Sequence, residues 1–108
     1  MIVNILGTDY TIEERSKTED SYLENCDGYC DKTTKLIVVG TDNTDLENFD
    51  VYRKKVMRHE IIHAFLYESG LHENFKHEQW GHDETMVDWI AVQFPKIYKV
   101  FRRAGCLK

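Results

Sequence analysis

The N-terminal part of the chain alternates short apolar runs with polar stretches, a pattern typical of strands and turns. The run Leu36–Val39 is apolar at every position, which favours the interior of a sheet. The polar stretch Ser16–Asn25 is expected to be a loop or a frayed helix. Four runs are predicted as strands, the second pairing back against the first and a polar turn joining the last two. They cover Ile2–Leu6, Tyr10–Glu14, Asp27–Cys30 and Lys35–Gly40.

The second half of the chain has helical periodicity instead. A long segment from about Leu46 or Asp50 to Ser69 carries apolar residues around much of its circumference, and Gly70 is placed to end it in the left-handed conformation. The polar stretch Leu71–His82 that follows is expected to be a loop. Two further helices are predicted after this loop, one over Asp83–Phe94 and a short one that Pro95 opens and Gly105 ends.

Strands that are followed by helices predict an α+β fold. A chain of 108 residues, 42% of them hydrophobic, has room for a single domain, here residues 1–108, with one core. The expected architecture is a small antiparallel or mixed β-sheet followed by the three helices. No apolar run approaches the roughly 20 residues of a membrane helix, and the N-terminus lacks the pattern of a signal peptide. A cytoplasmic location without a membrane partner is therefore expected.

Charge is distributed unevenly along the chain. The formal net charge is −5, which disfavours nucleic acid as a partner because a phosphate backbone attracts basic proteins. Residues 1–50 contain 12 acids and 4 bases, whereas residues 51–108 contain 7 acids and 10 bases. Two solvated faces of one domain explain this asymmetry most simply. The alternative is a docking surface for an acidic partner near the basic C-terminal end.

Three cysteines, Cys26, Cys30 and Cys106, cannot all be paired within one chain, which favours a reducing compartment. Cys26 and Cys30 are separated by three residues and have no second pair of ligands, so they fit a structural zinc site poorly. They are expected to be buried or half-buried thiols. The sequence assigns no role to Cys106.

The segment His59-Glu60-Ile61-Ile62-His63 carries the most specific chemistry in the chain. Residues four apart on a helix lie one above the other, so both imidazoles reach the same space and suit one tetrahedral Zn²⁺. Glu60 lies beside such an ion, where it can take a proton from a zinc-activated water. The alternative is a pair of surface histidines. The apolar residues around the motif favour a metal, because unliganded polar side chains would be costly to bury there.

A third ligand is needed to complete a zinc site. Glu84 is the best candidate, and Asp88 faces the same way one helical turn later. One carboxylate of this pair can bind the metal while the other accepts the N–H of a ligating histidine. The alternative role for Glu84 is to stabilise the N-terminal end of its helix through the helix dipole.

The segment HEIIHAFLYESGL, followed by Glu84-x3-Asp88, resembles the gluzincin zinc metallopeptidases, the thermolysin-like group. The match covers roughly residues 50–94, and the whole chain looks like the very short peptidases of this type from phages and prophages. The resemblance implies a zincin-like fold and one Zn²⁺ per chain. It also implies that His59, His63 and Glu84 bind the zinc, that Glu60 is the general base, and that Asp88 orients the first histidine.

Hydrolysis of peptide bonds in a peptide or protein substrate is the activity that this resemblance implies. The substrate is expected to lie extended along an edge strand, either Tyr29–Asp31 or Leu36–Val39, and the acidic N-terminal half would favour basic peptides. Larger gluzincins have a further subdomain that supplies a histidine to the site, and no histidine follows Glu84 here. The preferred donor to the oxyanion is His82. The other candidates are Tyr67, His72 and His77.

Two other functions remain open on the sequence. A zinc-stabilised interaction module without catalysis is one, because small chains often depend on a metal to fold. A phage regulatory protein that docks through the basic C-terminal helix, near Arg102 and Arg103, is the other.

Overall fold

A four-stranded mixed sheet followed by two long helices makes up the part of the chain described by the computed structural model, which comprises residues 1–42, 47–73 and 84–108. The strands are β1 (Ile2–Ile5), β2 (Thr8–Arg15), β3 (Gly28–Asp31) and β4 (Leu36–Gly40). The helices are α1 (Phe49–Ser69) and α2 (Glu84–Ala104), and short 3₁₀ turns cover Ser21–Glu24 and Leu71–Glu73. The predicted α+β class is confirmed.

The sheet has the strand order β1-β2-β4-β3. β1 and β2 form the predicted antiparallel hairpin, whose tight turn places Leu6 at φ 51° and Gly7 at φ 93°. Positive φ at both central residues is typical of the turn that matches the twist of a hairpin. β2 and β4 pair in parallel, and β3 pairs antiparallel with β4, so the sheet is mixed.

β4 is therefore an interior strand, and Ile37, Val38 and Val39 are fully buried. Leu36–Val39 was one of the two candidate substrate-binding edges, and this prediction is wrong because β2 and β3 occupy both edges of β4. The prediction that Leu36–Val39 lies in the interior of the sheet is confirmed. The alternative edge, Tyr29–Asp31, lies in β3 at one end of the described sheet.

Both helices pack on one face of the sheet, with α1 over β3 and β4 and α2 over β1. Gly28 allows α1 to come close to β3, because an added Cβ there would lie 2.7 Å from Val56 Cγ1 and 2.8 Å from the Val38 carbonyl oxygen. The core between the layers consists mainly of aliphatic and aromatic side chains. Its largest members include Ile5, Tyr10, Ile37, Ile61 and Phe65.

The ends of α1 follow local capping rules. The side chain of Asn48 accepts a hydrogen bond from the Val51 N–H at the first turn. Gly70 ends the helix at φ 82°, as predicted from the sequence. The start at Phe49 lies within the predicted range.

α2 is one continuous helix, so the prediction of a separate third helix opened by Pro95 is wrong. Proline in a helix interior removes one backbone hydrogen bond and crowds the preceding turn. The apolar face nevertheless keeps one register across this point, and Ile97, Val100 and Ala104 are buried in the same core that Trp89 contacts. Packing of that face outweighs the cost of Pro95, which is itself exposed. Gly105, at φ 67°, ends the helix as predicted.

The cysteines are all free thiols in different surroundings. Cys106 is buried in the core and Cys30 is half-buried, whereas Cys26 is exposed, contrary to the prediction for it. Neither α1 nor α2, over its described residues, is apolar enough along its length to cross a membrane.

Candidate metal centre

His59 and His63 point the same way from consecutive turns of α1. Their Nε2 atoms lie 3.1 Å apart, and their ring planes meet at 74° with centroids 4.8 Å apart. Together with a carboxylate oxygen of Glu60, the potential ligand atoms all lie within 4.8 Å of one another. The triad of His59, Glu60 and His63 could therefore hold a metal ion. The expected burial of the motif holds for Glu60, whereas His63 is half-buried and His59 is exposed.

The donor set fits a zinc ion. Two nitrogen ligands of a tetrahedral Zn²⁺, each about 2.0–2.1 Å from the metal, are about 3.3–3.4 Å apart, close to the separation of the two Nε2 atoms. The same separation also suits an N–H···N hydrogen bond between two neutral rings. Burial lowers the pKa of His63, and the nearby His59 and His72 lower it further. A neutral imidazole is the form that binds metal.

Glu60 is the unusual residue of the triad, because it is a buried carboxylate with only 5% of its surface exposed. Within the described part of the chain it accepts no hydrogen bond, and burial raises its pKa to about 7. An unpaired carboxylate at such a position is costly, and its raised pKa beside a cleft makes Glu60 a candidate functional residue. A bound cation beside it would favour the charged form and lower its pKa again.

The site lies in a groove between α1 and β3. One stripe of α1 consists of residues at spacings of three or four, namely Val56, Glu60, His63 and Tyr67. Val56 and Glu60 of this stripe lie against Gly28, so the stripe faces β3. Cys30 of β3 faces this stripe: burial and then the charge of Glu60 raise the pKa of its thiol to about 12. Cys30 is therefore a neutral thiol beside the site and is poorly suited to bind a metal as a thiolate.

An aromatic row extends the site toward the C-terminal end of α1. The ring of Tyr67 stacks on His63 with centroids 6.2 Å apart, and the ring of His72 meets Tyr67 edge-on at 4.5 Å. Lys32, from the turn between β3 and β4, places its Nζ 5.2 Å from the Tyr67 centroid. Burial is the main cause that raises the pKa of Tyr67, and the negative charge of Glu60 adds to it. Tyr67 is thus a phenol donor beside the triad.

The carboxylate residues predicted to complete the site occupy the first turns of α2. Glu84 begins the helix and Asp88 follows one turn later. Their side chains lie outside the described part of the structure. The next residue, Trp89, donates its indole N–H to Ser69 Oγ at 3.3 Å, which joins this part of α2 to the last turn of α1.

Of the candidate oxyanion donors, Tyr67 and His72 are brought next to the triad. His77 and His82 lie outside the described residues, so the preference for His82 stays a prediction.

Sequence reasoning missed a second part of the groove, an open cleft of about 260 Å³ beside His59 and Glu60. Asp27, Tyr52 and Lys55 contribute to it. Tyr52 and Glu60 are eight residues apart, so they lie on neighbouring parts of one face of α1. Extending the face of the motif toward the N-terminal end of α1 would have identified Tyr52 as a residue of the groove.

Comparison of the chain with known protein families, with curated proteins and with solved structures found no match. The assignment of a function therefore depends on the chemistry of the groove itself.

Proposed function

We propose that this protein is a zinc-dependent metallopeptidase with a minimal zincin-like fold of the gluzincin type. One observation carries the proposal: two imidazole nitrogens 3.1 Å apart converge beside a buried carboxylate on consecutive turns of one helix. Structural zinc sites have no use for an additional unpaired carboxylate next to the ligands, whereas metal-assisted hydrolysis needs a base at that position.

The proposed ligands are His59, His63 and Glu84, and Asp88 accepts the N–H of His59 and fixes its tautomer. Zinc, when bound, supplies Lewis acidity that activates water and polarises a carbonyl group. Glu60 takes a proton from the attacking water and delivers it to the leaving amine. Burial raises the pKa of Glu60 to about 7, which suits a general base that works near neutral pH.

Stabilisation of the developing oxyanion requires a hydrogen-bond donor on the far side of the scissile carbonyl. Tyr67 is the best described candidate, because its ring stacks on His63 and its hydroxyl is coupled electrostatically to Glu60. His72 supports the Tyr67 ring from the edge, and His82 is kept as the alternative donor.

The substrate is proposed to be a peptide that adds as an extended strand to the outer edge of β3. The order of the described sheet supports this proposal, since β4 pairs with only one edge of β3. Backbone pairing of this kind gives affinity without sequence preference, and side-chain pockets along the groove supply the preference.

The test is hydrolysis of a quenched-fluorescent peptide library by the zinc-loaded protein. We expect the Glu60→Gln variant to bind zinc as the wild type does and to lose at least about 10³-fold in kcat/KM, because both proton transfers are lost. Glu47→Gln, the same change at an exposed position before α1, is the matched control and retains activity. Peptidase activity that survives in Glu60→Gln would overturn the assignment.

A protein that binds a partner without catalysis is the second candidate, either a zinc-stabilised interaction module or a phage regulatory protein. The observation that favours it is a row on α2 in which Phe94 stacks on Tyr98 and the Arg102 guanidinium lies 5.8 Å from the Tyr98 centroid. Phe94 and Tyr98 are exposed, a surface typical of protein contacts. Stoichiometric zinc without hydrolysis of any peptide would favour this candidate.

A further inference from the structure

The cleft beside the triad lies between the start of β3 and the first half of α1. It has a volume of about 260 Å³ and reaches His59 and Glu60 at its inner end. Gly28 forms its wall on the strand side, where the backbone of β3 lies close against Val56 of α1. Because His59 and Glu60 line it, the cleft lies next to the position that the scissile bond takes in the proposed peptidase.

The lining of the cleft is suited to a cation. Asp27 supplies a carboxylate, and the hydroxyl of Tyr52 donates a hydrogen bond to its Oδ2. This bond holds the carboxylate in position, and a carboxylate has about four acceptor sites, so it can bind several donors at once. The hydrogen bond to Asp27 raises the pKa of Tyr52, so the phenol keeps its proton.

The ammonium group of Lys55 lies over the face of the Tyr52 ring. Lys55 Nζ lies 5.7 Å from the ring centroid, within the range of a cation–π contact. Lys55 is exposed, so its ammonium can move into solvent at little cost when another cation takes its place. The cleft therefore combines a fixed carboxylate with an aromatic face, and both favour a long, positively charged side chain.

We propose that this cleft selects peptides with arginine, and more weakly lysine, at the residue adjacent to the scissile bond. The inference rests on the proposed peptidase function and names its substrate class. Arginine is preferred because its planar guanidinium can pair with Asp27 while it stacks on Tyr52, and a lysine ammonium makes only the first contact well. Val56 contacts the aliphatic part of the same side chain.

The test uses binding as well as cleavage. The zinc-loaded Glu60→Gln protein holds peptides without hydrolysing them, and fluorescence anisotropy measures its affinity for peptides that differ only in one Arg, Gln or Glu residue. We expect the Arg peptide to bind about tenfold more tightly than the Gln peptide and the Glu peptide to bind most weakly. Adding Asp27→Asn should bring the ratio of Arg to Gln affinity close to one. Asp9→Asn, which removes the same charge from the distant β1–β2 hairpin, should keep the ratio.

The outcomes separate this inference from the peptidase proposal. If the wild type cleaves no peptide but binding shows an Arg preference that needs Asp27, the cleft assignment stands and the peptidase proposal fails. If the wild type cleaves Arg and Gln peptides equally well, or Asp27→Asn weakens both alike, the cleft assignment is overturned. Tyr52→Phe keeps the ring and removes the bond to Asp27, so it should also lower the ratio if Asp27→Asn does not fold.

Discussion

Replacing Glu68 with alanine should loosen the half of α1 that carries His63. Glu68 Oε1 accepts hydrogen bonds from Lys35 Nζ at 2.7 Å and from the Tyr10 hydroxyl at 2.8 Å. Oε2 accepts one from Thr8 Oγ1 at 3.1 Å. Thr8 and Tyr10 belong to β2, and Lys35 directly precedes β4. One carboxylate therefore fastens the last turn of the site-bearing helix to two neighbouring strands.

The magnitude follows from what each donor loses. Tyr10 has no exposed surface, so its hydroxyl would lose its described partner in a buried setting, at a cost of about 1–3 kcal/mol. The Lys35 side chain is 41% exposed and can return to water, so its ion pair adds less than about 1 kcal/mol. We expect Glu68→Ala to lower the free energy of unfolding by about 2–3 kcal/mol, which corresponds to roughly 9–13 °C in Tm for a domain of this size.

Urea unfolding followed by circular dichroism at pH 7 measures this loss. Tyr10→Phe and the double variant complete a cycle, in which the coupling between Tyr10 and Glu68 should be about 1 kcal/mol. A loss below about 0.5 kcal/mol for Glu68→Ala, or strict additivity in the cycle, would refute the argument.

The same carboxylate makes stability depend on pH. The hydrogen bond from Lys35, followed by those from Tyr10 and Thr8, lowers the pKa of Glu68 below its ordinary value. Its stabilising effect is therefore complete above the unfolded pKa of about 4.3 and is lost as the pH falls through the lower, folded pKa. The stability difference between wild type and Glu68→Gln should shrink in that acidic range. A difference that stays constant with pH would contradict this assignment.

Three further predictions concern packing and the metal. Gly28→Ala should lower the free energy of unfolding by about 1–3 kcal/mol, because the added Cβ would lie 2.8 Å from the Val38 carbonyl oxygen. Chemical denaturation measures this loss, and an unchanged midpoint would contradict the prediction. Pro95→Ala should raise Tm, since it restores a helix hydrogen bond at an exposed position of α2; a lower Tm would mean that the proline shapes the helix. EDTA should lower the Tm of the wild type and leave that of His63→Ala unchanged in differential scanning fluorimetry.

Sequence patterns predicted the elements of this fold better than their arrangement. The apolar run Leu36–Val39 indicated an interior strand, because a strand covered on both faces has no polar positions. Nothing local indicated that β4 lies between β2 and β3, since that order depends on a parallel pairing between distant segments. Pro95 was misleading for the opposite reason: its local preference is strong, and tertiary packing of α2 outweighs it.

The site shows the same division between local and distant information. His59 and His63 could be paired from sequence, because helix geometry alone places residues four apart together. The cleft could not be found in this way. Asp27 and Tyr52 are 25 positions apart, and only the packing of α1 against the start of β3 brings them into contact.

Metal analysis of the purified protein tests the central claim most directly. Inductively coupled plasma mass spectrometry of the wild type beside His63→Ala and Glu84→Ala compares the proposed ligand set with one ligand removed at a time. We predict one zinc per chain in the wild type and its loss from both variants. A wild-type protein without zinc, or a His63→Ala variant that keeps it, would contradict the account.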